Sequence, residues 1–218
     1  MSLDLLLKAT FETITMVLAS AIFAALLGIP LGFALFMFGR DKKAKKAKKT
    51  FFYHSLALII NAVRSIPFII LMVAVIPFTR LITGTSIGTI AAIVPLSLAA
   101  IPFLARLVES ALMEVQPGLI EASEAMGASA SKLIKLVLWP EALPGIINAL
   151  TVTLVSLVGY SAMAGAIGGG GLGDLAIRFG YQRFDGVVML ITVLVLILMV
   201  QALQSAGEQA ARLLRRGR

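Results

Sequence analysis

The placement of formal charge constrains this chain more than any other feature. Residues 13–39, 81–105, 142–173 and 186–207 carry none. Each stretch reaches or exceeds the roughly 20 apolar residues that an α-helix needs to cross the hydrocarbon core of a bilayer. A further apolar stretch, 51–79, is interrupted by Arg64. A long side chain such as arginine can run its stem along apolar surface and lift its charge to the headgroups. The stretch therefore reads as one long helix whose first turns lie at the interface. The expectation is an all-α membrane bundle of five transmembrane helices forming a single domain over residues 1–218. Composition agrees. Of 218 residues, 59% are hydrophobic and 14% charged, whereas a soluble domain carries about 25% charged residues.

The charges that remain set an orientation. Seven basic residues fall between Arg40 and Lys49. Only Lys8 precedes the first span, beside Asp4 and Glu12. Cytoplasmic loops carry the excess of Lys and Arg, so the N-terminus is expected outside and the Lys-rich segment inside. Five spans then put the C-terminus inside, where Arg212, Arg215, Arg216 and Arg218 suit it. The apolar run of the first span is about twice the length of a signal-peptide core and has no basic leader, so it reads as a retained helix. The net charge of +8 is explained by this placement, and nucleic acid is not an expected partner. The Lys-rich segment can meet anionic membrane lipid, although a topological role already accounts for it.

No chemistry of catalysis or metal binding emerges. Cysteine is absent and His54 is the single histidine, so neither a thiolate nor a multi-histidine site can form. The run from Gly168 to Gly173 resembles a phosphate loop only superficially. Such a loop ends in Gly-Lys-Ser/Thr, and here Asp174 follows. The run reads as a tightly turned or flexible outer loop. Arg106 and Glu109 stand three apart, the spacing of an ordinary helical ion pair. Ion-coupled transport would require acidic residues deep in the spans or an internal repeat, and neither is seen.

The segment 116–141 has a helical pattern of its own. Pro117-Gly118 breaks the incoming helix, and residues 119–126 read as a short helix that Gly127 ends in a left-handed conformation. Ser129 suits the cap of a second helix. In it Ala130, Leu133, Ile134, Val137 and Leu138 repeat at i, i+3, i+4, i+7 and i+8, an apolar face. Pro140 and Pro144 punctuate the entry to the next span. A compact pair of short helices on the cytoplasmic face, with small residues at Ala122 and Ala125, suits docking of a partner. An interfacial hairpin with no partner has the same periodicity.

Glu121-Ala122-Ser123, then Gly127, then Val137-Leu138-Trp139-Pro140 resembles the E-A-A…G…I-x-L-P motif of binding-protein-dependent ABC importer permeases. The spacing fits without a gap. Ser123, Val137 and Trp139 depart from the pattern. Residues 61–68, 77–80, 101–106 and 159–174 are similar to the methionine-importer permeases. The resemblance implies a type I ABC importer permease of the bacterial cytoplasmic (inner) membrane, acting as a homodimer. It implies an ATPase-coupling role for Glu121, Ala122, Ser123, Gly127 and Pro140. The implied partners are a cytoplasmic ABC ATPase dimer, an extracytoplasmic methionine-binding protein or lipoprotein, and a second copy of the chain. ATP and magnesium would belong to the ATPase, with no cofactor in this chain. A permease for another amino acid or small solute is the alternative, and a secondary transporter a remote one.

Thr151, Thr153, Ser156, Gly159, Tyr160, Ser161 and Met163 make the span within 142–173 the best pathway candidate, with plain helix packing as the competing explanation. Tyr160, Ser161 and Met163 are the gate candidates. Met163 is long and apolar within a run of small residues, which suits a seal that needs no charge. With no native cysteine to confuse the label, a cysteine at Ala44 or Gly217 is expected to resist an impermeant thiol reagent in intact cells. Labelling of Ala44 from outside would reverse the orientation.

Overall fold

A computed structural model describes residues 3–40 and 47–216. The described residues are almost wholly helical and contain no strand. The order is α1 (Leu3–Arg40), α2 (Ala47–Ser65), α3 (Phe68–Ala74), α4 (Ile76–Thr83), α5 (Thr89–Met113), α6 (Pro117–Ala125), α7 (Ala130–Leu133), α8 (Trp139–Ala164), α9 (Gly171–Leu175) and α10 (Gly186–Arg216). Four helical stretches are long and apolar enough to cross a membrane, and a fifth span results if the bent pair 51–65 and 68–74 is taken as one. The central part of the Lys-rich segment, residues 41–46, and the end of the basic tail, residues 217–218, lie outside the described residues.

The packing centres on α1 against α5, which touch along much of their length. Two glycines permit it. A Cβ on Gly28 would stand 2.9 Å from the Ile101 carbonyl oxygen, and one on Gly32 would stand 2.6 Å from Val108 Cβ. Four residues apart, both lie on one face of α1 and let the two backbones come close. Leu96, Leu104, Val108 and Leu112 of α5 are fully buried there with Met16 and Val17 of α1. The α8 helix closes on α5 at Gly145, whose Cβ would meet Ala111 Cβ at 2.8 Å. The α10 helix meets α8 where Gly207 lies against Thr151. Elsewhere α10 presents Val187, Leu190, Leu194, Ile197 and Leu198 outward, the apolar surface expected toward lipid.

The stretch 51–79 is not one long helix, and that expectation is corrected. The chain bends by 102° between residues 51–65 and 68–74. Pro67 causes it. Its backbone is extended, at φ −55° and ψ 135°, it has no N–H to continue the ladder, and its ring disfavours helical geometry at Ile66. A second break at Val75 separates α3 from α4, which ends on Gly84 at φ 74°. Arg64 does find an aromatic surface, with its guanidinium 5.9 Å from the Phe103 ring centre.

Two further expectations shift. Pro140 and Pro144 do not interrupt the chain, because the helix runs on from Ala130 to Ala164. It widens into a π turn at Ile134–Leu138, where the Trp139 N–H reaches the Ile134 carbonyl five residues back. The wider turn accommodates the ring that Pro140 would otherwise press against the preceding turn. The helix α1 begins well before the uncharged stretch, so Asp4, Lys8 and Glu12 lie within it. The Arg106–Glu109 pair forms as its spacing implies, at 2.6 Å. It also ties α5 to α2, since Arg106 donates to Asn61 Oδ1 and the Ala57 carbonyl.

Gly32→Leu is expected to destabilise the bundle by about 1–3 kcal/mol through overpacking against Val108. A Cβ on Gly186 meets nothing within 4 Å, so Gly186→Ala is expected to be neutral. Thermal unfolding midpoints of the two variants in detergent check the contrast.

Candidate functional site

At one end of the bundle α6 follows α5 after the short break at residues 114–116. Gln116 is extended and Pro117 begins the helix, where a missing N–H costs nothing. The far end closes with two reciprocal bonds. The Ala128 N–H donates to the Ser123 carbonyl and the Gly127 N–H to the Glu124 carbonyl. Gly127 sits at φ +75°. This is a complete Schellman closure, which requires a left-handed residue at that position. The α7 cap also forms as expected, with the Ser129 hydroxyl accepting from the Lys132 N–H.

The two faces of α6 differ. Ile120 and Ser123 are buried against the bundle, whereas Glu121, Ala122, Glu124, Ala125 and Met126 are exposed. Arg40, at the end of α1, holds Glu124 at 2.7 Å. Behind α6 lies a cleft of about 610 Å³, bordered by Arg40, Met113, Ile120, Glu121 and Leu133. Leu133 and Leu138 are buried and Ile134 and Val137 half-buried, as the periodicity implies, but Ala130 is exposed. Trp139 is 42% exposed and stacks on Phe33 of α1 at 5.8 Å. Pro140 is half-buried two residues beyond the π turn.

Leu119, Ala122, Ala125 and Met126 share the outer side of α6, and Met126 is 82% exposed. Leu119 and Met126 did not stand out in the sequence. Their signal was positional: with Ala122 they stand at i, i+3 and i+7, out of phase with Ile120 and Ser123.

The opposite end holds the other candidates. Tyr160, near the end of α8, stacks on Phe68 of α3 at 4.7 Å with 14° between the rings. Ser161 is buried, and its hydroxyl donates to the Val158 carbonyl at 2.8 Å. Met163 is 38% exposed. With the exposed Val152 and Gly159 and the half-buried Ser156 it forms an outward stripe along α8. Met163 and Ser161 therefore face different ways.

The glycine run beyond Met163 is a dense turn. A Cβ on Gly165 would come within 2.4 Å of the Asp174 nitrogen, and one on Gly173 within 2.3 Å of the Ala162 oxygen. Two α1 side chains satisfy its free amides. The Gly171 N–H donates to Glu12 Oε2 and the Leu172 N–H to Thr13 Oγ1, each at 2.8 Å. The Gly88 N–H donates to the Gly168 carbonyl at 2.9 Å. Sequence reasoning missed Glu12 and Thr13, because nothing local relates them to a turn about 160 residues away. Among the described residues no group of three or more His, Cys, Asp or Glu could hold a metal ion.

Residues 28–213 match the family model described as "Binding-protein-dependent transport system inner membrane component". The Probable D-methionine transport system permease protein MetI of Vibrio cholerae serotype O1 is 53% identical over 209 residues, covering 96% of this chain and 92% of that protein. The D-methionine transport system permease protein MetI of Escherichia coli (strain K12) is 52% identical over 161 residues, 74% of this chain and 73% of that one. A chain of the MetNI methionine ABC transporter, solved in an inward-facing conformation, superposes with a TM-score of 0.93 at 46% identity. It covers 98% of this chain and 99% of that one.

A Cβ on Gly127 meets nothing within 4 Å, so substitution there acts through backbone strain alone. A left-handed β-branched residue costs about 1–2 kcal/mol, while asparagine tolerates the conformation. Gly127→Val is expected to loosen the α6 closure and Gly127→Asn to keep it. Hydrogen exchange at the Gly127 and Ala128 amides reads the difference.

Proposed function

The chain belongs to the family of binding-protein-dependent transport system inner membrane components, and we propose that it is the permease subunit of an ATP-driven methionine importer. The observation that carries this reading is the likeness, over nearly the whole of both chains, to the permease of a methionine ABC transporter. The chain forms one domain of five spans, counting the bent 51–74 segment as one, with the N-terminus outside and the C-terminus inside. Two copies enclose the pathway. Hydrolysis of ATP, with its magnesium, belongs to a cytoplasmic ATPase dimer, and a binding protein outside delivers the solute.

Coupling residues divide by position. Ala122, with Leu119, Ala125 and Met126, presents a low outer surface to the ATPase. Small side chains let the two surfaces approach, and Met126 can adapt its shape to a pocket. Glu121 borders the cleft behind α6. Ser123 and Pro140 hold the segment to the bundle, and Gly127 sets where α6 ends. The outward stripe that carries Met163 supports a path between the two copies. Met163 narrows it by apolar contact, Tyr160 braces the end of α8 through Phe68, and Ser161 packs behind.

The ATPase favours one arrangement of the pathway with nucleotide and another without it, and the permease follows that difference in stability. The chain's part in this is mechanical and selective, since bond-breaking occurs on the ATPase.

Reconstituted in liposomes with its ATPase and binding protein, the chain is expected to accumulate labelled methionine only when ATP is present. Accumulation of a different amino acid with none of methionine would keep the importer and overturn the substrate.

A further inference from the structure

The contacts at the two ends of α1 belong to different parts of the importer proposed above. At one end Arg40 holds Glu124 on α6 at 2.7 Å. At the other, Glu12 and Thr13 hold the Gly171 and Leu172 amides of the glycine turn, each at 2.8 Å. Between them runs one helix that continues through Pro30, about 42 Å from Glu12 to Arg40 at 1.5 Å per residue. The Gly28 and Gly32 contacts seat it directly on α5.

The glycine turn needs such a fixture. It follows Met163 by only two residues, so its position sets where the end of α8 lies. Its glycines have no side chains with which to choose that position, and Gly168, Gly170 and Gly171 all have φ above +70°. The Glu12 carboxylate brings a negative charge to the amide end of the short helix that leaves the turn, a charge-assisted bond stronger than a neutral one. Thr13 supports it, its hydroxyl donating to the Ala9 carbonyl while it accepts from Leu172.

We propose that α1 is the strut through which movement of α6 reaches the end of α8, with Glu12 the positioning residue at the gate end and Arg40 its counterpart at the ATPase end. This rests on the import function proposed above. It assigns Glu12 a role in coupling, though Glu12 touches neither ATPase nor solute. A displacement of α6 pulls on Arg40, is carried along α1, and shifts the glycine turn through the two amide bonds.

The test uses the complete complex of permease, ATPase and binding protein in liposomes. A cysteine replaces Met163, and its reaction rate with a thiol reagent is read with and without trapped nucleotide. This readout is independent of which solute is carried. The rate is expected to differ by about fivefold between the two states, the lower end of ordinary coupling between sites. Glu12→Ala and Arg40→Ala are each expected to reduce that difference below about twofold while ATP hydrolysis continues. The double variant is expected to be no worse than either single one, because one break already severs a series link. Glu12→Gln, whose amide oxygen still accepts from Gly171, is expected to restore part of the response. If Glu12→Ala does not assemble, Thr13→Val replaces it, with the same outcomes. The strut is overturned if the unsubstituted Met163→Cys complex shows no nucleotide response, if both single variants keep it in full, or if their effects multiply. Methionine uptake on the same vesicles, with Met163 intact, tests the substrate separately.

Discussion

A peptide group inside a bilayer meets no water, so each N–H and C=O must find its partner within the protein. A continuous helix meets that demand by itself, and most of this chain is continuous helix. The informative places are the breaks. At Pro67 the chain bends sharply, and the Pro67 carbonyl at once accepts from Ile70 and Leu71. At the glycine run the demand is met by α1, at Glu12 and Thr13, and by Gly88. Outside the spans, at the exposed Gly127, the chain satisfies itself through the paired closure bonds. The repairs at the glycine run are tertiary, and they are among the contacts that distinguish this bundle from a set of independent helices.

The same constraint explains why hydroxyl groups are poor markers of a pathway. Thr10, Thr15, Thr151, Thr153, Ser156 and Thr192 each donate to the carbonyl four residues back, and Ser161 to the one three back. A hydroxyl so engaged is polar in composition and nearly apolar in effect. Thr153, Ser161 and Thr192 are buried in the packing. On α8 it is the outward phase that separates Met163 and Gly159 from Ser161, not polarity.

Legibility in the sequence followed the range of the cause. The spans were readable because charge is excluded from hydrocarbon at every residue, a local rule. The α6 closure was readable because Gly127 and the residues that it closes on are neighbours. The Arg106–Glu109 pair is likewise local. The bend at 66–67 had a visible cause in Pro67, but Arg64 drew attention to snorkelling and away from the proline. Gly28 and Gly32 look like ordinary helix residues until α5 lies against them. Glu12 reads as a flanking charge until a turn far along the chain arrives beside it. Within α6 the left-handed end at Gly127 followed from local sequence, whereas the exposure of Ala122 and Met126 depends on which side of the helix faces the bundle.

The π turn at Ile134–Leu138 has a consequence for tolerance to change. A wide turn holds one residue more than a regular one, and in a helix a single residue amounts to about 100° of rotation. The short helices before it and the long α8 after it therefore keep their angular relation only while that surplus residue is present. Loss of one residue here would leave the remaining side chains chemically intact and turn α6 and α7 about a quarter revolution against the membrane bundle. In this stretch spacing carries information that residue identity does not, which makes length, more than composition, the quantity to watch among relatives.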